Sequence, residues 1–172
     1  ISLQITDVKD FMAKLLKTDL FEPPCINFLA FIDLPPLDTV TCHIDGTLNT
    51  SFFATDELDI LGLNGLSTAP FSLFRPNCFD LIKGKHTPSY FKFVFMLSPE
   101  NLKNTLVHSG SSLSENDISG AYLNLHFKDQ VLTCTTGVSY RVFSMDRSFE
   151  NAWDELVCRF LKNHGICHEI LS

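Results

Sequence analysis

Three observations predict an α+β fold in which an antiparallel sheet packs on helices. The order strand, Ser/Thr cap, short helix, paired strands occurs twice, over Ile1 to Phe53 and over Tyr90 to Met145. Runs of alternating apolar and polar residues, the period of a half-buried strand, fill the stretches between the helical segments. A single long stripe of helical spacing stands near the C-terminus. At 172 residues the chain reads as one domain, long enough for a sizeable core. Its parts are half-units 1–61 and 71–147, a connector 62–70 and a terminal amphipathic helix 148–164. Two equivalent half-units can bury their faces against each other.

The first element is a strand over Ile1 to Ile5, followed by Thr6 as a cap. Val8, Phe11, Met12, Leu15 and Leu16 carry helical spacing, which predicts a helix from about Asp7 to Lys17 with its late lysines favouring the helix dipole. Pro23-Pro24 interrupts the chain before an apolar run, Ile26 to Leu34, read as a buried strand that Pro35-Pro36 ends. Val40, Cys42 and Ile44 alternate with Thr41, His43 and Asp45, and Asp45-Gly46 then signals a tight hairpin with Leu48, Thr50 and Phe52 on the returning strand. Thr55-Asp56-Glu57 begins a short helix to Leu61.

The connector is rich in Gly, Asn, Ser and Thr and holds no charge. Phe71 to Ile82 fits strand or helix, with Arg75-Pro76 breaking it, and Lys83-Gly84-Lys85 reads as a turn. Phe91 to Leu97 is a strand that leads into Ser98-Pro99-Glu100, a cap followed by proline at the first helical position. That helix spans about Pro99 to His108. Leu123, Leu125 and Phe127 form the next strand, Asp129-Gln130 a turn, and Leu132, Cys134 and Thr136 run back to Gly137. Val138, Tyr140 and Val142 make one more strand. Ser148 caps the last helix, where Phe149, Ala152, Trp153, Leu156, Val157, Phe160 and Leu161 fall on one face and Gly165 supplies the stop.

Composition narrows the function classes. No run approaches the 18 or so apolar residues of a membrane span, so no membrane partner is expected. The N-terminal residues lack the zones of a signal peptide, although the chain begins at Ile1 without Met, which leaves an original leader open. Cys25, Cys42, Cys78, Cys134, Cys158 and Cys167 are scattered without a CxxC pair and are read as reduced thiols. Together these place the protein in the cytoplasm. Net charge is −7, and between Lys17 and Arg75 the chain holds eight acidic residues and no Lys or Arg. Basic groups gather at Lys9, Lys14 and Lys17 and at Arg75, Lys83, Lys85 and Lys92, confined faces on which an anion can bind against the overall charge.

No strong catalytic motif is present. Lys83-Gly84-Lys85-His86-Thr87 fails as a phosphate loop, because Phe79 stands where the leading glycine is needed and His86 where the magnesium hydroxyl belongs. His164, Cys167 and His168 are the one compact metal-like cluster, and they lack a fourth ligand at motif spacing. Cys42 and His43 point to opposite faces of a strand, and His126 has no partner named by the sequence. Catalytic residues, cofactor and metal are accordingly each expected to be none.

The segments Ile5–Leu16, Ile44–Phe53, Arg75–Pro88 and Leu132–Glu155 resemble an uncharacterised family of short proteins from anaerobic Gram-positive bacteria. That resemblance implies no activity and no site residues. The succession of strand, helix and strands, best seen from Phe95 to Asp146, is also similar to one domain of a DNA sliding clamp. This second resemblance implies that Lys9, Lys14, Lys17 and Lys103 present charge to DNA from two adjacent helices, with Lys83, Lys85 and Lys92 as a second contact surface. Asp10 and Glu100 dilute that face, and one such domain cannot encircle a duplex, so ring closure requires several copies. The leading expectation is a non-catalytic module that binds a protein or nucleic acid. A small cytoplasmic enzyme with a Cys/His site and a structural homo-oligomer are the alternatives.

Overall fold

A computed structural model describes residues 1–21, 25–33, 41–84 and 88–171. Among these residues seven strands form one antiparallel sheet: β1 (Ser2–Ile5), β2 (Cys25–Asp33), β3 (Thr41–Asp45), β4 (Tyr90–Leu97), β5 (Ile118–Lys128), β6 (Val131–Tyr140) and β7 (His168–Ile170). Their order across the sheet is β3-β2-β4-β5-β6-β1-β7. The helices are α1 (Val8–Lys17), α2 (Thr55–Ile60), α3 (Phe71–Ile82), α4 (Pro99–Ser109) and α5 (Ser148–Asn163). The fold is therefore α+β with a C-terminal helix. The two stretches read as half-units are not equivalent in the sheet. β4, β5 and β6 lie side by side, whereas β1 crosses to the far side of β6, away from β2 and β3.

Alternation along the strands decides which face is core. Phe91, Phe93, Phe95 and Leu97 of β4 are buried, as are Leu123 and Leu125 of β5, Leu132 and Cys134 of β6, and Leu3 and Ile5 of β1. Register aligns them, with Phe93 opposite Leu125, Leu125 opposite Cys134, and Cys134 opposite Leu3. Helices bury their stripes on this face, and aromatic rings tie them together. Phe21, just past α1, stacks on Phe95 at 5.5 Å and meets Phe160 of α5 edge-on at 5.4 Å. The opposite face carries Gln4, Lys92, Asn124, His126, Thr133 and Thr135, all half-buried.

Helix ends follow local chemistry. Asp7 rather than Thr6 caps α1, its carboxylate accepting the Asp10 N–H at 2.9 Å. Ser98 caps α4 by accepting the Asn101 N–H at 3.3 Å, and Gly110 ends it in the left-handed region at φ 66°. Ser148 is the first residue of α5 and does not cap it; Asp146 does that work, accepting the Ser148 N–H at 2.9 Å. The stripe of α5 packs on the sheet, with Phe149, Trp153, Val157 and Leu161 buried and the Trp153 indole N–H donating to the Tyr122 carbonyl at 3.1 Å.

Three further expectations are corrected, and one strand was not expected. Phe71 to Ile82 is wholly helical despite Pro76, because Phe71, Cys78 and Ile82 bury one face and outweigh the one backbone bond that proline removes. Asp45-Gly46 makes no hairpin. The Asp45 carboxylate turns onto the Thr47 N–H and hydroxyl at 2.9 and 2.8 Å, Thr47 bridges to Thr68, and residues 50–52 form a 3-10 turn. Gly137 does not divide β6, since it stays in register opposite Tyr122 of the long β5. β7, which pairs with β1, is an element the periodicity did not mark. The expected strand limits at Pro23-Pro24, Leu34, Pro35-Pro36 and Val40 lie outside the described residues. No helix among the described residues is long and apolar enough to cross a membrane.

Candidate protein-contact loop

The basic residues singled out by the sequence occupy several separate surfaces. Lys9 is exposed on α1. Lys14 pairs with Asp10 at 2.6 Å and donates to the Gly165 carbonyl at 3.2 Å, so much of its charge is taken up locally. Lys17 and Lys83 are brought together, their ammonium groups 5.7 and 5.4 Å from the centre of the Phe79 ring, but Lys83 is paired with Asp80 at 2.5 Å. Lys103 faces Glu115 at 3.4 Å. Lys92 stands on the open sheet face in register with His126. Lys85, with His86 and Thr87, lies outside the described residues. The packing of α1 is chiefly on α3 and that of α4 on α5, rather than α1 on α4.

The other candidates are likewise placed apart. His164 and His168 each direct Nδ1 at a backbone carbonyl, of Phe160 at 2.8 Å and of Ile166 at 2.9 Å. Among the described residues, no group of three or more His, Cys, Asp or Glu could hold a metal ion. Cys42, Cys78, Cys134, Cys158 and Cys167 are free thiols, and the side chain of Cys25 lies outside the described residues. Burial pushes the Cys78 and Cys134 thiols up to about 12, so neither is a nucleophile at neutral pH. His126 sits beside the Tyr90 ring at 5.2 Å.

What the structure does build is a fixed loop between β6 and α5. The alternation of Val138, Tyr140 and Val142 suggested continued strand, but pairing stops at Tyr140, opposite Ile118 where β5 begins. The Arg141 N–H reaches the Asp117 carbonyl at 2.8 Å, and its guanidinium donates to the Asn116 carbonyl at 3.3 Å. Beyond it the chain is held by one carboxylate. Asp146 accepts the Ser111 hydroxyl at 2.6 Å, the Ser112 N–H at 2.9 Å and the Ser112 hydroxyl at 3.2 Å, besides the Ser148 N–H. These bonds, led by that from Ser111, hold its carboxyl well below the usual carboxylate range. Loop 141–147 is thereby tied both to the start of α5 and to the turn after α4.

With Asp146 turned inward, the loop presents an apolar tip between two cations. Phe143 is 93% exposed and Met145 is 85% exposed, with Val142 beside them and Arg141 and Arg147 also exposed. Arg147 reaches Glu150 at 3.0 Å, while Arg141 has no ion-pair partner among the described residues. Phe52 and Ile60 are also strongly exposed, but on a 3-10 turn and on a helix of six residues. The signal in the sequence was Asp146, two residues before Ser148, in the string Arg-Val-Phe-Ser-Met-Asp-Arg; its serine partners 34 and 35 residues away gave none.

Residues 14–169 match a family of unknown function, DUF5721, and the chain belongs to that family. No curated protein and no solved structure matches the chain. The family assignment carries no activity, and nothing matched bears on a bacterial source or on a clamp.

Proposed function

We propose that this member of DUF5721 is a non-catalytic binding module that contacts a protein partner through loop 141–147. One observation carries the reading: Phe143 and Met145 are held out in solvent by a loop whose own carboxylate is fully engaged in fixing it. Large apolar side chains held rigid and exposed lower the ordering cost of association and are the usual anchors of protein interfaces. The nucleic-acid and clamp-like versions rest on lysines that occupy separate surfaces, three of which, Lys14, Lys83 and Lys103, are engaged with Asp10, Asp80 and Glu115, which favours the protein contact over them. An enzyme using cysteine or histidine is disfavoured by the two protonated buried thiols and by the scatter of the imidazoles. Free thiols suit a reducing compartment, the cytoplasm.

A photo-crosslinking amino acid at position 143, in cells that produce the protein, tests the reading. The expected result is a discrete protein adduct that is absent when the same group replaces exposed Lys128. Absence of any adduct from position 143 overturns it.

A further inference from the structure

We infer that Asn64, in the turn after α2, is a site of spontaneous deamidation, and that the product undoes the cap of that helix. Of the chain's ten asparagines, Asn64 alone is followed by glycine. The reaction begins at the backbone nitrogen of the next residue, and at glycine no side chain hinders its approach to the carboxamide. Asn64 and Gly65 are both exposed. Gly65 adopts φ 78°, and a Cβ there would meet nothing within 4 Å, so solvent reaches the pair freely. The Gly65 N–H donates to no group among the described residues, which leaves its nitrogen available.

The same turn closes the end of α2. Gly62 takes φ 66°, which lets the Leu63 N–H return to the Leu58 carbonyl at 2.8 Å while the Gly62 N–H reaches the Asp59 carbonyl at 3.1 Å. Leu63 is buried behind this cap. The Leu66 N–H then bonds the Leu63 carbonyl at 3.1 Å, with Asn64 and Gly65 between them. The Asn64 carboxamide ties the turn to the helix by donating to the Asp59 carboxylate at 2.6 Å. That bond is exposed, and water competes for both groups, so the carboxamide is released often enough to react.

Attack within one chain gives the nitrogen a high effective concentration at the carboxamide carbon. Hydroxide takes the Gly65 amide proton, and the nitrogen forms a bond to Asn64 Cγ. The Cγ–Nδ2 bond breaks, and that nitrogen leaves as ammonia with a proton from water. Water then opens the resulting succinimide ring at either carbonyl. One opening gives aspartate; the other gives isoaspartate, whose main chain runs through the side-chain carbon. Nothing is oxidised or reduced. Either product sets a carboxylate where a donor faced Asp59, and the like charges repel. Isoaspartate also lengthens the backbone inside the turn. No Lys or Arg lies between Lys17 and Arg75 in the sequence to offset the added charge locally.

Ageing the folded, purified chain in mildly alkaline buffer at physiological temperature, followed by chymotryptic peptide mapping, is the test. Fragmentation that separates aspartate from isoaspartate reads the products. The peptide containing position 64 should gain one dalton before any other asparagine peptide, contain both products, and react faster as pH rises. Gly65→Ala should slow the gain at least about tenfold, because a Cβ hinders the approach that glycine permits. Alanine is strained at the positive φ of position 65, so Asn64→Gln is the second variant. It keeps the donor but needs a six-membered ring, and should show no gain at that position over the same period. Asn64→Asp stands in for one product and should speed amide exchange at Gly62 and Leu63 while leaving the β4–β5 amides unchanged. An earlier gain at another asparagine, aspartate without isoaspartate, or equal rates in Gly65→Ala and wild type overturns the deamidation site. Unchanged exchange at Gly62 and Leu63 in Asn64→Asp overturns its effect on the cap.

Discussion

Replacing Trp153 by alanine tests whether α5 is part of the core. The ring is 2% exposed, and its indole N–H donates to the Tyr122 carbonyl at 3.1 Å. Removing a buried Trp side chain costs about 3–5 kcal/mol in lost transfer energy and residual cavity. The Tyr122 carbonyl also loses a donor, which adds about 1 kcal/mol. The sum, about 4–6 kcal/mol, is a large part of the roughly 5–15 kcal/mol that typically holds a domain together. Trp153→Phe keeps a ring and loses the N–H, and should cost about 1–2 kcal/mol. Urea unfolding followed by circular dichroism at 222 nm reads both variants without relying on the chain's single tryptophan. A loss under about 1 kcal/mol for Trp153→Ala, with the fold intact, would mean that α5 does not close the core.

Two further perturbations separate the loop from the thiols. Asp146→Asn should speed amide exchange at Ser112 and Ser148 while leaving the β4–β5 pairing unchanged; equal exchange in both proteins would show that Asp146 does not fix the loop. The folded pKa of Asp146 is lowered, so its contribution is complete above the ordinary carboxylate value of 3.8 and is lost as pH falls from there toward the folded value. Acid unfolding of wild type should steepen below about pH 4, and Asp146→Asn should flatten that loss; superimposable profiles would count against it. In thiol titration of the native chain, exposed Cys167 should react first, and Cys78 and Cys134 only on unfolding, given their burial and thiols raised to about 12. All six cysteines should titrate after denaturation without reductant. A lower count would mean a disulfide, and stoichiometric zinc lost on Cys167→Ser would mean a metal site.

The sequence was most legible where one period persisted. α5 follows from seven apolar positions on one face, and β4, β5 and β6 from alternation broken at Asp129-Gln130, both of which adopt positive φ, 52° and 67°. Local rules failed where distant packing or a side chain overrode them. Pro76 argued against a helix that tertiary burial maintains, and Asp45-Gly46 argued for a hairpin that the Asp45 carboxylate prevents by bonding Thr47. β7 has three residues, too few for alternation to show, and exists because β1 leaves an edge for it. The candidate site was the least legible. Val142 continued a strand pattern, and the residues that stop it are Asp117, just before β5, and Ser111 and Ser112, which bond Asp146 across the fold.

The central claim is that a protein covers the tip of loop 141–147 in the cell, and methionine footprinting tests it most directly. The chain has three methionines, of which Met145 is 85% exposed while Met12 and Met96 are half-buried internal references. In dilute purified protein, Met145 should be oxidised well before Met12 and Met96. In intact cells, Met145 should be protected relative to those two, and Phe143→Asp should restore its reactivity. Equal relative oxidation of Met145 in cells and in dilute solution would contradict the account.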